Sequence, residues 1–183
     1  MRHSFDIAAV TRADIPDVLD FVLQARSKLF PKLSATGVPS DLASFDEVYL
    51  RGEGRFLVTR NEGQVIAGIG YLPYDYRFEH IEYHERKVVE VVRLFVLPEF
   101  RRSGLASELY GVLKASAVEA GVDVFYLHTH PFLPGAIDFW CKRDFQVIAV
   151  DADPEWQTTH MECRLPRVKQ NEIAEPACHQ TDR

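Results

Sequence analysis

Residues 101–106, with the sequence R-R-S-G-L-A, have the composition of a phosphate-binding turn. They follow an apolar, β-branched run that predicts a strand, and they precede apolar residues at helical spacing. Gly104 and Ala106 leave room for a ligand beside the backbone, and Arg101 adds positive charge. At a helix start, unpaired N–H groups and the helix dipole attract anions. The turn is predicted to bind a phosphate-containing ligand; the alternative is a helix start that only turns tightly.

Glu90 is the second residue that could do chemistry. It interrupts the apolar run that begins at Val88, and a carboxylate is unfavourable there unless it is paired or faces a cleft. One interpretation is a general base. The other is a structural carboxylate, either paired with Arg93 or placed at the exposed end of the strand.

His128 and His130 stand at alternate positions near a predicted strand end, so their side chains point to the same side. The pair could contact a substrate, relay a proton, make structural hydrogen bonds or bind a metal ion. The sequence places no cysteine or carboxylate beside them as a further ligand, so no metal site is predicted.

Periodicity and turn residues predict the elements that must position these side chains. The strands are expected at residues 5–10, 56–60, 65–72, 88–97, 122–128, 145–150 and 158–165, and the helices at 13–30, 40–52, 105–120 and 136–143. Residues 33–40 are predicted to form a loop. Gly68 and Gly70 inside a strand predict a bulge or a close neighbour. This order indicates a mixed α/β plan.

Composition limits the class of protein. The chain has 183 residues, 46% of them hydrophobic and 26% charged, as expected for one globular domain. Its net charge of -6 argues against nucleic-acid binding, and no apolar run is long enough to span a membrane. The three cysteines lack C-x-x-C spacing, which favours a reducing, cytoplasmic location. Residues 1–166 are predicted to form the domain, and the polar residues 167–183 a disordered tail.

Two motifs resemble those of the GNAT acetyltransferases. The R-x-x-G-x-A turn, preceded by Pro98-Glu99-Phe100, is similar to the family's coenzyme A loop. The segment AIDFWCKRDF, residues 136–145, is similar to the family's A-x-x-[FL]-Y-x-x-x-G-F. The resemblance covers residues 4 to 165. It implies the α/β GNAT fold, a mixed and mostly antiparallel sheet of six to seven strands flanked by about four helices.

The resemblance also implies acetyl-coenzyme A as cosubstrate. The cofactor contacts it implies are Leu94, Phe95, Val96, Arg101, Arg102, Ser103, Gly104, Leu105, Ala106 and Trp140. The N–H groups of residues 102–106 would bind the pyrophosphate, the Leu94 N–H would polarise the thioester carbonyl, and Val96 would hold pantetheine. Glu90 lies eleven positions before Arg101, where several members carry a glutamate base, so Glu90 and Leu94 are the expected catalytic positions.

The sequence departs from the family at three positions. Trp140 stands where tyrosine often serves as the acid, and an indole cannot take that role, so Trp140 is expected to pack against the acyl or pantetheine arm. The acid would then be Tyr126, Cys141 or solvent, or no dedicated acid would exist. Leu133 and Asp144 replace an asparagine and a glycine.

Segment 73–87 is predicted to contribute the acceptor site. In relatives the region between the third and fourth strands can line that site, and here it carries aromatic and acidic residues that suit an ammonium group. Tyr74, Tyr76 and His128 are the expected substrate contacts. A solvated hairpin or the edge of a homodimer is the alternative, and His80 and His84 receive no assignment.

The sequence therefore predicts an acetyltransferase that moves acetyl from acetyl-coenzyme A to the primary amine of a small molecule, by direct attack in a ternary complex. A protein N-terminus or lysine is the alternative acceptor. A non-catalytic acyl-coenzyme A sensor is the alternative from a different class.

Overall fold

The computed structural model describes residues 5–166; the predicted tail, residues 167–183, lies outside them. The strands are β1 (Ile7–Ala9), β2 (Arg55–Asn61), β3 (Gln64–Pro73), β4 (Val88–Val96), β5 (Val124–Thr129), β6 (Gln146–Val150) and β7 (Thr159–Arg164). The α-helices are α1 (Ile15–Leu29), α2 (Ser40–Ala43), α3 (Leu105–Glu119) and α4 (Ala136–Cys141). None of the helices within residues 5–166 has the length and apolar character needed to cross a membrane.

The seven strands form one open sheet in the order β1-β2-β3-β4-β5-β7-β6. Neighbouring strands are antiparallel except β4 and β5, which are parallel and are connected through α3. The predicted mixed, mostly antiparallel sheet is confirmed.

The helices between β1 and β2 form largely where the sequence predicts them, with two differences. The Thr11 N–H donates to Asp14 Oδ2 at 2.9 Å, a capping interaction that precedes α1. The expected loop at 33–40 begins instead within a 3-10 helix, Pro31–Thr36. The expected helix at 40–52 consists of the short α2 and a π-helical turn, Asp46–Leu50.

The sheet is covered on both faces. Val89 and Val91 of β4 and Phe125 and Leu127 of β5 pack in one cluster with α3. On the other face, α1, α2 and the π-helical turn pack over β2, β3 and part of β4. Segment 73–87 covers that same face farther along, where Tyr74 and Ile81 pack against Tyr126.

A bulge interrupts the pairing of β3 with β4. Gly68 pairs with Phe95 and Gly70 pairs with Val92, so Arg93 and Leu94 together oppose the single residue between the glycines. Arg93 has a φ of 59°, which bends the strand. The bulge predicted from the two glycines is confirmed. The expectation that the strand is buried on both faces holds for residues 88–91, whereas residues 92–96 are half-buried.

Candidate active site

A cleft of about 1120 Å³ opens where β4 and β5 separate. Their ladder covers Val88, Val89 and Glu90, and beyond that point β5 continues beside β7. Residues 91–96 of β4 therefore form one wall of the cleft and residues 127–130 the opposite wall. Arg101 and Ala106 lie at one end. The cleft joins the predicted phosphate turn to the middle of the sheet.

The turn at residues 101–106 has the geometry of an anion site. Gly104 precedes α3 with a φ of +93°, and a Cβ atom at this position would meet open space. Within residues 5–166, the backbone N–H groups of Arg102, Ser103, Gly104 and Ala106 donate to no protein acceptor. Exposed donors at the start of a 15-residue helix suit a pyrophosphate. The residues present fit the phosphate part of coenzyme A.

Arg101 joins the turn to the cleft wall. Its Nε donates to the Val96 carbonyl oxygen at 3.0 Å, at the end of β4. Leu94, Phe95 and Val96 line the cleft, as predicted for cofactor contacts, and their individual roles stay predictions. Leu105 begins α3 with its side chain in the core, so only its backbone is available to a ligand.

Glu90 is only 2% exposed and pairs with Arg77 of segment 73–87. Arg77 Nη1 and Nη2 donate to the two Glu90 carboxylate oxygens at 2.8 and 2.7 Å. The suggested ion pair of Glu90 with Arg93 is wrong, because Arg93 Nη2 instead binds Asp41 Oδ1 at 2.7 Å. The backbone of Arg93 at the bulge is left-handed and so lies outside regular strand geometry.

His128 is the second partner of Glu90. His128 Nδ1 lies 2.9 Å from Glu90 Oε1, although the ring does not make a well-aligned hydrogen bond with it. Burial raises the pKa of Glu90, but His128 and Arg77 outweigh it and lower that pKa to about 2. Glu90 is therefore a weak base when it acts alone. His128 lies on the cleft wall with part of its ring exposed.

Trp140 lies on the cleft surface and packs edge-on against Tyr110 and Phe145. Leu133 also lines the cleft. Neither Tyr126 nor Cys141 is among the cleft residues in the described part of the chain, so neither is placed to protonate a thiolate there. Of the proton donors considered for the thiolate, solvent remains; otherwise the reaction has no dedicated acid.

Asp144 explains one departure from the family motif. Its φ is 66°, in the left-handed region that glycine occupies most easily and that aspartate tolerates better than most residues. The turn after α4 therefore has a backbone conformation that suits glycine, although aspartate stands there.

Segment 73–87 contributes different residues from those predicted. Tyr74 is buried, with its ring 4.5 Å from that of Tyr126, and Tyr76 is exposed beside Tyr74. Neither belongs to the described cleft lining, which instead contains Asp75 and Arg77. The geometry does not support the two tyrosines as acceptor contacts. Sequence reasoning missed Arg77 because no periodicity places this segment on the sheet.

In the described part of the chain, five carboxylates line the cleft: Asp17, Asp20, Asp41, Asp75 and Glu90. Four of these carboxylates form ion pairs with arginine side chains. The fifth, Asp20, accepts a hydrogen bond from the Gln24 amide at 2.8 Å. Carboxylates accept hydrogen bonds from an ammonium group and attract its charge.

Comparison with known proteins gives a family match. Residues 19–145 match the model of the Acetyltransferase (GNAT) family. No curated protein matches the sequence.

Solved structures share the fold. An acetyltransferase of the GNAT family from Staphylococcus aureus is 17% identical, with a TM-score of 0.69 over 89% of this chain and 100% of that one. The Brucella melitensis ribosomal-protein-alanine N-acetyltransferase is 22% identical, with a TM-score of 0.69 over 87% and 99%. The PaiA N-acetyltransferase of Thermoplasma acidophilum, in complex with coenzyme A, is 15% identical, with a TM-score of 0.61 over 88% and 99%. At these identities the likeness shows the fold.

Proposed function

The chain belongs to the Acetyltransferase (GNAT) family, and we propose that it moves an acetyl group from acetyl-coenzyme A to a primary amine of a small molecule. Acetyl-coenzyme A is the cosubstrate of this family, as predicted from the sequence. The observation that carries the proposal is the cleft, which runs from the exposed N–H groups of the 101–106 turn to the Glu90 and His128 pair.

The cosubstrate would lie along β4. The N–H groups of the turn hold its pyrophosphate, and the Leu94 N–H donates to the thioester carbonyl oxygen at the bulge. Bound acetyl-coenzyme A supplies a thioester whose carbonyl carbon accepts the amine nitrogen as the carbon–sulfur bond breaks. Trp140 packs beside the acyl or pantetheine arm and excludes water.

His128 takes the proton of the amine in this proposal. Glu90 has a pKa of about 2 and lies behind His128, so it acts as a positioning residue that holds the ring through the 2.9 Å contact of its Oε1 with His128 Nδ1. Asp20, together with the paired carboxylates of the cleft, attracts the ammonium form of the acceptor. Solvent protonates the thiolate.

The test is release of free coenzyme A thiol on mixing the protein with acetyl-coenzyme A and a panel of amines. The panel contains polyamines, aminoglycosides and amino acids, with peptides that offer a free N-terminus or a lysine. Turnover of a small amine supports the proposal, whereas turnover of peptides alone would replace the acceptor class. If no member of the panel causes thiol release, a non-catalytic acyl-coenzyme A sensor is favoured.

Two substitutions test the proton path. Glu90→Gln and His128→Asn should each lower kcat at least about 100-fold with the Kd for acetyl-coenzyme A unchanged. His84→Asn, in an exposed residue of segment 73–87, is the control and should leave kcat unchanged. Full turnover in His128→Asn would rule out His128 as the proton acceptor.

A further inference from the structure

We propose that His80, Asp151 and His160 form a binding site for one Zn²⁺ ion. His80 lies in segment 73–87, Asp151 directly follows β6, and His160 lies on β7. Each side chain offers one ligand atom, and the three atoms lie within 4.8 Å of one another. Segment 73–87 and the β6–β7 hairpin, which are distant in sequence, thus bring metal-binding groups together. The sequence analysis predicted no metal site, and the proposal departs from it because the fold brings His80 next to two residues that lie far from it in sequence.

The distances suit a tetrahedral ion. Asp151 Oδ1 lies 3.4 Å from His80 Nε2 and 3.1 Å from His160 Nε2. Two ligand atoms bonded to tetrahedral zinc at about 2.0–2.1 Å are separated by roughly 3.3 Å. One Asp151 carboxylate oxygen therefore lies at about the separation from each ring nitrogen that a shared tetrahedral ion requires.

His160 has the surroundings of a metal ligand. It is fully buried, and its second ring nitrogen, Nδ1, lies 2.7 Å from the Tyr126 hydroxyl oxygen. A hydrogen bond at the far nitrogen fixes the orientation of a ligating imidazole and the nitrogen that faces the metal. Phe78 packs edge-on against the ring, with centroids 4.7 Å apart. His160 Nε2 is thus held toward Asp151.

The donor set favours zinc over magnesium and calcium. Two imidazoles and one carboxylate match zinc, whereas magnesium and calcium favour sites made of oxygen ligands. His80 is half exposed and Asp151 about one-third exposed, so an ion can enter from solvent and water can occupy the fourth position. The site is distinct from the cleft, because none of its three residues belongs to the described cleft lining.

The ion would fasten segment 73–87 to the sheet. His80 comes three residues after Arg77, whose guanidinium holds Glu90 in the cleft. Zinc bound to His80, Asp151 and His160 ties that part of the segment to β7 and to the end of β6. Occupancy of the site is therefore expected to stabilise the fold and the position of Arg77.

The test uses the full chain, prepared without a histidine tag and stripped with EDTA. Calorimetric titration with ZnCl₂ should show one ion per chain at micromolar or tighter Kd, and zinc should raise the thermal midpoint. His80→Ala and Asp151→Asn should each raise the Kd at least about 10-fold and reduce the thermal shift. Both changed side chains are partly exposed, so these variants are expected to fold; far-ultraviolet circular dichroism checks this.

His84→Ala is the matched control. This histidine lies four residues after His80 with its side chain 88% exposed, and it should bind zinc as the parent does. Absence of saturable zinc binding at micromolar concentration would overturn the proposal and leave the three residues as a hydrogen-bonded cluster. An equal loss of binding in His80→Ala and His84→Ala would also overturn it.

Discussion

Arg77 binds both carboxylate oxygens of Glu90, at 2.8 and 2.7 Å, and so joins segment 73–87 to the first part of β4, the central strand. Glu90 is almost completely buried, whereas the Arg77 side chain is 39% exposed. The arginine therefore reaches inward from the surface to a carboxylate that solvent does not reach. This contact stabilises the charge of Glu90 and lies beside the cleft.

Arg77→Met tests the energetic importance of this pair. Removing one partner leaves a buried carboxylate without its bidentate donor, which is expected to lower the free energy of unfolding by about 3 kcal/mol. Arg86→Met removes the same charge from an exposed position of the same segment and should change it by less than about 0.5 kcal/mol. Urea unfolding, monitored by circular dichroism, measures the free energy of unfolding of both variants. Equal effects of the two substitutions would mean that the Arg77–Glu90 pair contributes little to stability.

Most of the fold could be predicted because its elements have periodic apolar residues. Residues 105–120 were expected as a helix and form α3, Leu105–Glu119, since Leu105, Leu109 and Leu113 all face the core. Gly68 and Gly70 predicted the bulge of the central sheet because glycine in a strand permits close approach. The phosphate turn was also predictable, since its residues are contiguous.

The rest of the candidate site depends on contacts between distant segments. Arg77 and Glu90 are 13 residues apart, and Asp41 and Arg93 are 52 apart. No periodicity in segment 73–87 indicates which of its side chains turn inward. Tyr74 was expected in the acceptor site, but its ring is buried against Tyr126 because an apolar face of the sheet was available there.

Gly104→Glu tests the phosphate turn. The added carboxylate would occupy the open space beside the exposed N–H groups and repel a pyrophosphate, so the Kd for acetyl-coenzyme A should rise more than about 10-fold. Calorimetric titration measures it.

Gly121→Glu is the matched control for that substitution. Gly121 follows the other end of α3, has a φ of +72° against +93° at Gly104, and likewise faces open space. Both variants therefore carry similar backbone strain and the same added charge, but only Gly104→Glu should lose binding. Equal loss in both variants would contradict the assignment of the turn.

Acid stability should depend on Glu90. Its pKa is about 2 in the fold, below its ordinary value of 4.5, so between these values the unfolded chain binds more protons than the folded one. The stability from this group is therefore present above pH 4.5 and is lost as the pH falls toward 2. Glu90→Gln should be less stable than the parent at pH 7, and this difference should shrink between pH 5 and pH 2.

Urea unfolding at several pH values measures this dependence. Glu119→Gln removes one carboxylate from the exposed end of α3, and its pH dependence should follow that of the parent. Identical pH dependence in the parent and Glu90→Gln would contradict the low pKa of Glu90.

Gly70→Ala tests why the central sheet bends where it does. A Cβ atom at Gly70 would lie 2.6 Å from Cδ2 of the buried Phe56 ring and 3.0 Å from the Arg55 carbonyl oxygen. Neither group can move freely, since Phe56 packs between Phe45 and Tyr49. The substitution should lower the free energy of unfolding by about 1–3 kcal/mol.

Gly111→Ala provides the opposite result within the same chain. Gly111 is exposed in α3 with open space around the position of a Cβ atom, so alanine should raise the free energy of unfolding by about 0.5–1 kcal/mol through its higher helix propensity.

Because Gly70 pairs with Val92 beside the bulge, displacement of Phe56 should also disturb the cleft wall. Gly70→Ala is therefore expected to weaken acetyl-coenzyme A binding, and Gly111→Ala to leave it unchanged. Unaltered stability and affinity in Gly70→Ala would show that the strand tolerates a side chain there.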